Sequence, residues 1–400
     1  MARERFFGNV PDTPPDAVFG IQALIKEDKR PGIIDATTGE LYTDDRKLYV
    51  PSAVTKAHEQ IGLGDLGYIT ATKEGWLARP AYVRGSAKIV FGKETAEKMM
   101  EEGRLVAVGA PGGTGALRVF TDFLKENNPD AKILLSDPTW SNHLGIFKRG
   151  GLEINSYSHL QGKEYDLQGH IDAIRNSDPN TVVLLHAGRT HNPTGDNPKS
   201  AEEWEMLAKA MEGRFALWDA AYVGWGEGLE EDTLGIRVFR EQGVQSAVAL
   251  SNSKNGGQYS LRTGLLLIER QSAEDSVKPQ KYLNSIARTL YSNPTSIGEE
   301  LMGTIYEDPI LYQEYLGNLR EPRSMLQSRR ELLARELGQG FEFVQKQVGL
   351  FSLVLPRNRE AVVRLRTEYP IYTLENGRAN FGSVPSKDIP RFAAGIKAVI

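Results

Sequence analysis

Five short apolar runs constrain this chain most: AKILL (131–135), TVVLL (181–185), FALW (215–218), AVAL (247–250) and GLLLI (264–268). Apart from Lys132 and Thr181 near the start of the first two, each is apolar at consecutive positions, as a strand buried on both faces requires, and each ends in a polar or glycine-rich break. Helical patterns fall between several of them. The clearest covers Ser200 to Met211: Ser200 and Glu203 have capping-box spacing, and Trp204, Leu207, Ala208 and Met211 recur on one face. Strands alternating with helices predict a three-layer α/β fold around a mostly parallel sheet. Beyond about residue 300 the texture changes to an amphipathic helix from Pro322 to Leu337, the run FSLVLP (351–356) and a final helix from Asp388 to Ile400. This reads as a smaller α+β domain, with residues 49–300 forming the large domain and 1–48 plus 301–400 the small one. No low-complexity linker separates the two, so the boundary is expected in a helix.

Composition narrows the function. A chain of 400 residues that is 40% hydrophobic and 25% charged can bury a core for two domains. A net charge of −4 and a pI of about 6.0 offer no positive field for nucleic acid or an anionic membrane, so small molecules are the expected partners. The absence of cysteine excludes disulfides, thiolate metal sites and cysteine nucleophiles. No histidines form an HExxH-type pair, and no metal site is expected. The opening MARERFFGNVPDTPPD lacks the apolar stretch of a secretory or membrane-spanning segment, which makes a cytoplasmic protein the expectation.

Sites in parallel sheets form at the carboxyl ends of the strands, so the residues after each apolar run carry the information. AKILL runs into Ser136, Asp137, Pro138, Thr139 and Trp140; TVVLL into HAGRTHNPTG, ending at Gly195; FALW into DAAY (219–222); AVAL into SNSKNGG. Ahead of them VAVGAPGGTGALR (106–118) is a glycine-rich turn opening a helix, where free backbone N–H groups and the Thr114 hydroxyl can cradle an anion. Singly, each element has an ordinary reading: a tight turn, a helix cap, a solvated lysine, satisfied histidines at 143, 186 and 191. Their convergence on one sheet edge points to pyridoxal phosphate. That cofactor requires an amine, an anion at its pyridine nitrogen, donors at its phenolic oxygen, an aromatic face and a phosphate cup. An amine beside a ring cation has a lowered proton affinity, suiting it to exchange protons with a substrate carbon.

The ordered motifs resemble those of the fold-type I aminotransferases of the aspartate and aromatic amino acid group, from about Gly39 to Gly382. SNSKNGGQYSLRTG is similar to the family's S-x-S-K-N-x-G-x-Y-x-x-R-x-G. The resemblance implies that Lys254 forms the Schiff base and shuttles protons. It implies that Ser251 and Arg262, with Gly113 and Thr114, bind the phosphate. HNPTG and WDAAY place Asn192 and Tyr222 at the phenolic oxygen and Asp219 at the pyridine nitrogen, while SDPTWSNH gives Trp140 as the stacking ring and His143 as a partner of Asp219. Lys254, Asp219 and Tyr222 form the implied catalytic set. GYITATKEG resembles the segment that lends a tyrosine, here Tyr68, to the neighbouring subunit's phosphate. NGRANFG gives Arg378 for the substrate α-carboxylate. ARTLYSNP resembles the family's R-x-x-Y-S-N-P, which implies that Arg288 reaches across a dimer interface to a side-chain carboxylate. Gly39, Asn192 and Trp140 complete the implied substrate contacts.

The resemblance implies a homodimeric transaminase that moves an amino group between an amino acid, dicarboxylic or aromatic, and a 2-oxo acid. Several segments depart from the family pattern: YITATKEG lacks a proline, HAGRTHNPTG is one residue longer and brings in Arg189 near the cofactor edge, and Gly256 replaces an aromatic residue. These touch the pocket rather than the cofactor chemistry. A lyase or decarboxylase on the same fold and a retired, non-catalytic binding protein are the alternatives.

Overall fold

The computed structural model describes residues 8, 10–12, 17–355 and 358–400. The opening segment 1–16 therefore lies mostly outside the described residues, as does Pro356 of FSLVLP. The apolar runs form strands of one seven-stranded sheet: β1 (Leu105–Pro111), β2 (Lys132–Asp137), β3 (Glu153–Ser158), β4 (Thr181–His186), β5 (Phe215–Ala220), β6 (Ser246–Ser251) and β7 (Thr263–Glu269). Their spatial order is β1-β7-β6-β5-β4-β2-β3. Strand β7 runs antiparallel to both neighbours and every other pairing is parallel.

Period-two alternation sorts the side chains onto two covered faces. Leu217 joins a layer with Phe120, Phe147 and Leu266, whereas the adjacent Trp218 joins the opposite layer with Trp204 and Phe239. Trp218 meets Phe239 edge-on at 4.9 Å, a favoured geometry for aromatic quadrupoles. The helix Ala201–Ala210 starts where its sequence predicts. Ser200 Oγ accepts the Glu203 N–H, and Glu203 returns a bond to the N–H of Lys199, one residue before the usual capping-box donor.

The long C-terminal helix differs from expectation. It begins at Pro309, capped by Asp308, and Pro322 lies inside it. Proline has no N–H to give the carbonyl four residues back. That carbonyl, on Asn318, accepts the Tyr49 hydroxyl at 2.7 Å instead, which is why the helix tolerates the proline. The final helix runs Ile389–Val399 after a turn of 3₁₀ helix at Ser386–Asp388. Two small pairings join distant parts of the chain: Ile34–Asp35 lies parallel to Ile371–Tyr372, and Phe351–Leu353 antiparallel to Arg378–Asn380.

Candidate active site

Because β4, β5 and β6 are parallel, their carboxyl ends meet at one edge of the sheet, and antiparallel β7 starts there too. A cavity of about 210 Å³ opens at that edge. Gly39, Gly113, Thr114, Trp140, Asn192 and Asp219 line it, as do Tyr222, Ser251, Lys254, Arg262 and Arg378. Residues from the carboxyl ends of five strands, the start of β7 and both the N-terminal and C-terminal segments are thus brought into one space. Asp219, near the end of β5, accepts the His143 Nε2–H at 2.9 Å and the Ala221 N–H at 3.1 Å. The other ring nitrogen of His143 faces the Thr139 hydroxyl at 2.9 Å. Asn192 links two partners: its amide lies 3.5 Å from the Tyr222 hydroxyl, and its oxygen accepts from Arg378 Nη1 at 3.1 Å.

The electrostatics suit proton chemistry. Burial opposes charge on Asp219, but the His143 hydrogen bond, with help from the Ala221 N–H, outweighs it and holds the carboxylate below its ordinary range. The Lys254 ammonium is pushed down to about 8, first by burial and then by the Arg262 and Arg378 cations, with Asp219 and Glu40 working against them. It lies 5.5 Å over the Tyr222 ring and 5.9 Å over that of Tyr259. Five of the six histidines are buried, and four of them run on from Asp219 in a row: His143 to His186 (5.4 Å) and His186 to His191 (4.3 Å), both tilted, and His191 stacked on His159 (3.7 Å). Burial lowers His186 to about 3 and His159 to about 4, so both are neutral near pH 7.

One end of the cavity has the features of a phosphate cup. Gly112, Gly113 and Thr114 form the N-terminus of a 16-residue helix; the Gly112 N–H goes to the Arg262 carbonyl, and the N–H groups that follow it, with the helix dipole, favour an anion. Gly112 has φ +70°, and a Cβ there would lie 2.5 Å from the Arg262 guanidinium. Gly264 is packed so closely that a Cβ would come within 2.4 Å of the Gly112 backbone. Glycine at both places lets the helix end, Ser251 and Arg262 converge. Arg262 is a half-buried cation held by Ser253 Oγ and the Tyr259 carbonyl, with no carboxylate partner among the described residues. A helix N-terminus and such a cation facing one cavity fit a bound dianion, and with the amine, the carboxylate and Trp140 they fit pyridoxal phosphate.

Other positions stand elsewhere. Tyr68, 84% exposed, and Arg288 share a separate surface depression with Asn293, away from the cavity of their own chain. Arg189 turns from the cofactor edge to Glu227 (3.0 Å), the Lys346 carbonyl (2.7 Å) and Asp196, so the expected extra charge there is neutralised outside the cavity. Phe351 was not anticipated as a site residue. Its ring lies 4.0 Å beneath the Arg378 guanidinium, yet in sequence it is one more apolar residue of a strand. Tyr259, also unassigned, accepts the Leu41 N–H beside Gly39.

Comparison with known proteins identifies the family. The family profile for aminotransferase class I and II matches residues 31–396. The aspartate aminotransferases of Salmonella typhi and Escherichia coli (strain K12) are each 31% identical over 403 residues, covering 98% of this chain and 100% of theirs. Among solved structures, an aromatic-amino-acid aminotransferase from Burkholderia pseudomallei, covalently bound to pyridoxal phosphate, superposes with a TM-score of 0.91 at 30% identity, covering 98% of this chain and 99% of that one. The chain belongs to the aminotransferase class I and II family, with the fold-type I architecture. It is a pyridoxal-phosphate-dependent transaminase, acting on small-molecule substrates.

Proposed function

We propose that this transaminase takes aspartate or glutamate, with aromatic amino acids as further donors, and that the cavity residues share out the binding and proton-transfer steps. The observation that carries the reading is that Lys254, Asp219 and Arg378 line one cavity. When bound there, pyridoxal phosphate supplies a carbonyl carbon that takes up the amino group and a protonated ring that withdraws electrons from the substrate α-carbon. Lys254 would be its covalent anchor, and its amine is the base placed to carry the α-proton. Asp219 holds the proton on the ring nitrogen, and His143 holds Asp219. Tyr222 and Asn192 bind the phenolic oxygen; Trp140 covers the ring face; Gly113, Thr114, Ser251 and Arg262 hold the phosphate. Arg378 binds the α-carboxylate through its planar fork, with Gly39, Asn192 and Trp140 bordering the substrate.

Tyr68 and Arg288 lie outside their own cavity, which supports a homodimer in which each serves the other subunit. Sedimentation of an active monomer would contradict that arrangement. Division into a large domain (49–300) and a small one (1–48 with 301–400) is supported by the confinement of all seven strands to residues 105–269 and by the pairing of Ile34–Asp35 with Ile371–Tyr372. A cytoplasmic location accords with the cytoplasmic aspartate aminotransferase of Oryza sativa, 29% identical over 412 residues. Among the described residues no helix is long and apolar enough to cross a membrane.

Single-turnover absorbance tests the substrate reading. Holoenzyme mixed in turn with aspartate, glutamate, tyrosine, phenylalanine and alanine is expected to convert its cofactor band fastest with the acidic pair. Conversion by neutral or aromatic donors alone would remove Arg288 from its role, and conversion by none would overturn the donor assignment. The Lys254 amine gives a second test. A neutral amine is the nucleophile, and a group lowered to about 8 becomes neutral as the pH rises through 8, whereas an ordinary lysine stays charged to above 10. The apoenzyme should therefore capture pyridoxal phosphate at a rate that climbs with pH around a midpoint near 8. A midpoint above about 10 would contradict the burial argument.

A further inference from the structure

We propose that Arg330, which lies outside the cavity, is the positioning residue that sets the carboxylate subsite of Arg378 and Asn192. The inference rests on the role given to Arg378 above. Arg330 is 1% exposed on the helix Pro309–Leu337. Its neighbour Arg329, equally buried, pairs with Asp44 at 2.8 Å, but Arg330 has no acidic partner among the described residues. Burial pushes it down to about 9, so it remains a cation at neutral pH. An unpaired buried charge is costly, and an aliphatic side chain could fill the same helix face without that cost.

All the bonds of Arg330 go to one short segment. Nε donates to Ser352 Oγ at 2.8 Å, and Nη2 donates to the Phe351 carbonyl at 3.1 Å and to the Gly349 carbonyl. That segment joins the two halves of the carboxylate subsite. On one side the Val348 N–H donates to the Gly195 carbonyl at 2.8 Å, holding the loop that carries Asn192. The approach is close: a Cβ on Gly195 would lie 2.7 Å from the Val348 carbonyl oxygen and 3.0 Å from that of Phe351. On the other side Phe351–Leu353 pairs with Arg378–Asn380, Leu353 opposite Arg378, while the Phe351 ring underlies the Arg378 guanidinium. The 3.1 Å contact between Asn192 and Arg378 closes the circuit. A planar, rigid fork that grips a hydroxyl and two carbonyls can hold this joint, and its positive charge favours an incoming carboxylate. A lysine can do so only in part.

The test uses holoenzyme and two probes, 2-methylaspartate and 2-methylphenylalanine. Both carry the α-carboxylate and lack the α-hydrogen, so each binds without turning over. Arg330→Met is expected to weaken both probes by about tenfold and to raise KM for amino acid and 2-oxo acid alike, with kcat changed by less than about threefold. Cofactor content should stay complete. Arg330→Lys should recover part of the loss, and Ser352→Ala should weaken both probes by about threefold. Arg378→Leu serves as the reference and should cost about 10²-fold or more. If Arg330→Met loses thermal stability or cofactor while both probes bind as before, Arg330 is a structural staple and the inference fails. Should that variant not fold, unchanged affinity in Ser352→Ala overturns it instead. If Arg378→Leu itself binds both probes normally, the role of Arg378 is wrong, and the inference falls with it.

Discussion

Lys254→Ala is expected to hold pyridoxal phosphate yet turn over more than about 10⁴-fold more slowly than the native enzyme, since it loses both a positioned proton carrier and a covalent attachment point. Retention follows from the distribution of contacts. The Gly112–Thr114 helix end, Ser251, Arg262, Asp219 and Trp140 are untouched by the change and surround the ligand on several sides. The loss follows from scarcity. Among the described residues lining the cavity, Lys254 is the one amine, and the other cations, Arg262 and Arg378, are guanidiniums that do not release a proton near neutral pH. Measuring cofactor content after dialysis beside the steady-state rate separates the two effects. Near-normal turnover in this variant would remove Lys254 from the mechanism.

The second large effect is expected at Asp219. Asp219→Ala should lower kcat by about 10²–10³-fold or more, the scale seen when one preorganised electrostatic partner is removed from a site. Stability should fall by only about 1–3 kcal/mol, chiefly because the His143 Nε2–H is left buried without an acceptor. The same carboxylate has no other side-chain partner at hydrogen-bond distance among the described residues, so the fold depends on it only through that contact and the Ala221 N–H it accepts. Paired measurements of kcat and of the urea midpoint decide the matter. A rate loss that merely tracks the loss of folded protein would reduce Asp219 to a structural acid.

Much of this was legible in the chain because the signals were local. A strand buried on both faces must be apolar throughout, so AKILL, TVVLL, FALW, AVAL and GLLLI stand out, and the polar residues after each stand at the sheet edge by topology alone. Ser200 and Glu203 marked a helix start through contacts only a few residues apart. The less legible features are long-range. Pro322 looks like a helix beginning unless one knows that Tyr49, far away in sequence, serves the carbonyl it leaves bare. Phe351 is an unremarkable apolar residue until strand pairing sets its ring under Arg378. Arg189 reads as a pocket charge, and Glu227 and the Lys346 carbonyl, both distant in sequence, show otherwise.

The reversal of β7 has a consequence for how this enzyme can vary. A parallel β7 would start at the opposite end of the sheet, so the chain after Lys254 would first have to cross the sheet's full length. The antiparallel strand needs only the connection from Asn252 to Arg262, and that connection carries both the amine and the guanidinium that face the cavity. The span between the two is therefore written into one short stretch of covalent chain, anchored by the Gly112 N–H on the Arg262 carbonyl and the Asn252 N–H on that of Thr263. Movements elsewhere in the molecule leave this ruler unchanged. Insertions that other surface turns absorb would lengthen it, so chemistry, and not only folding, sets the length of this loop.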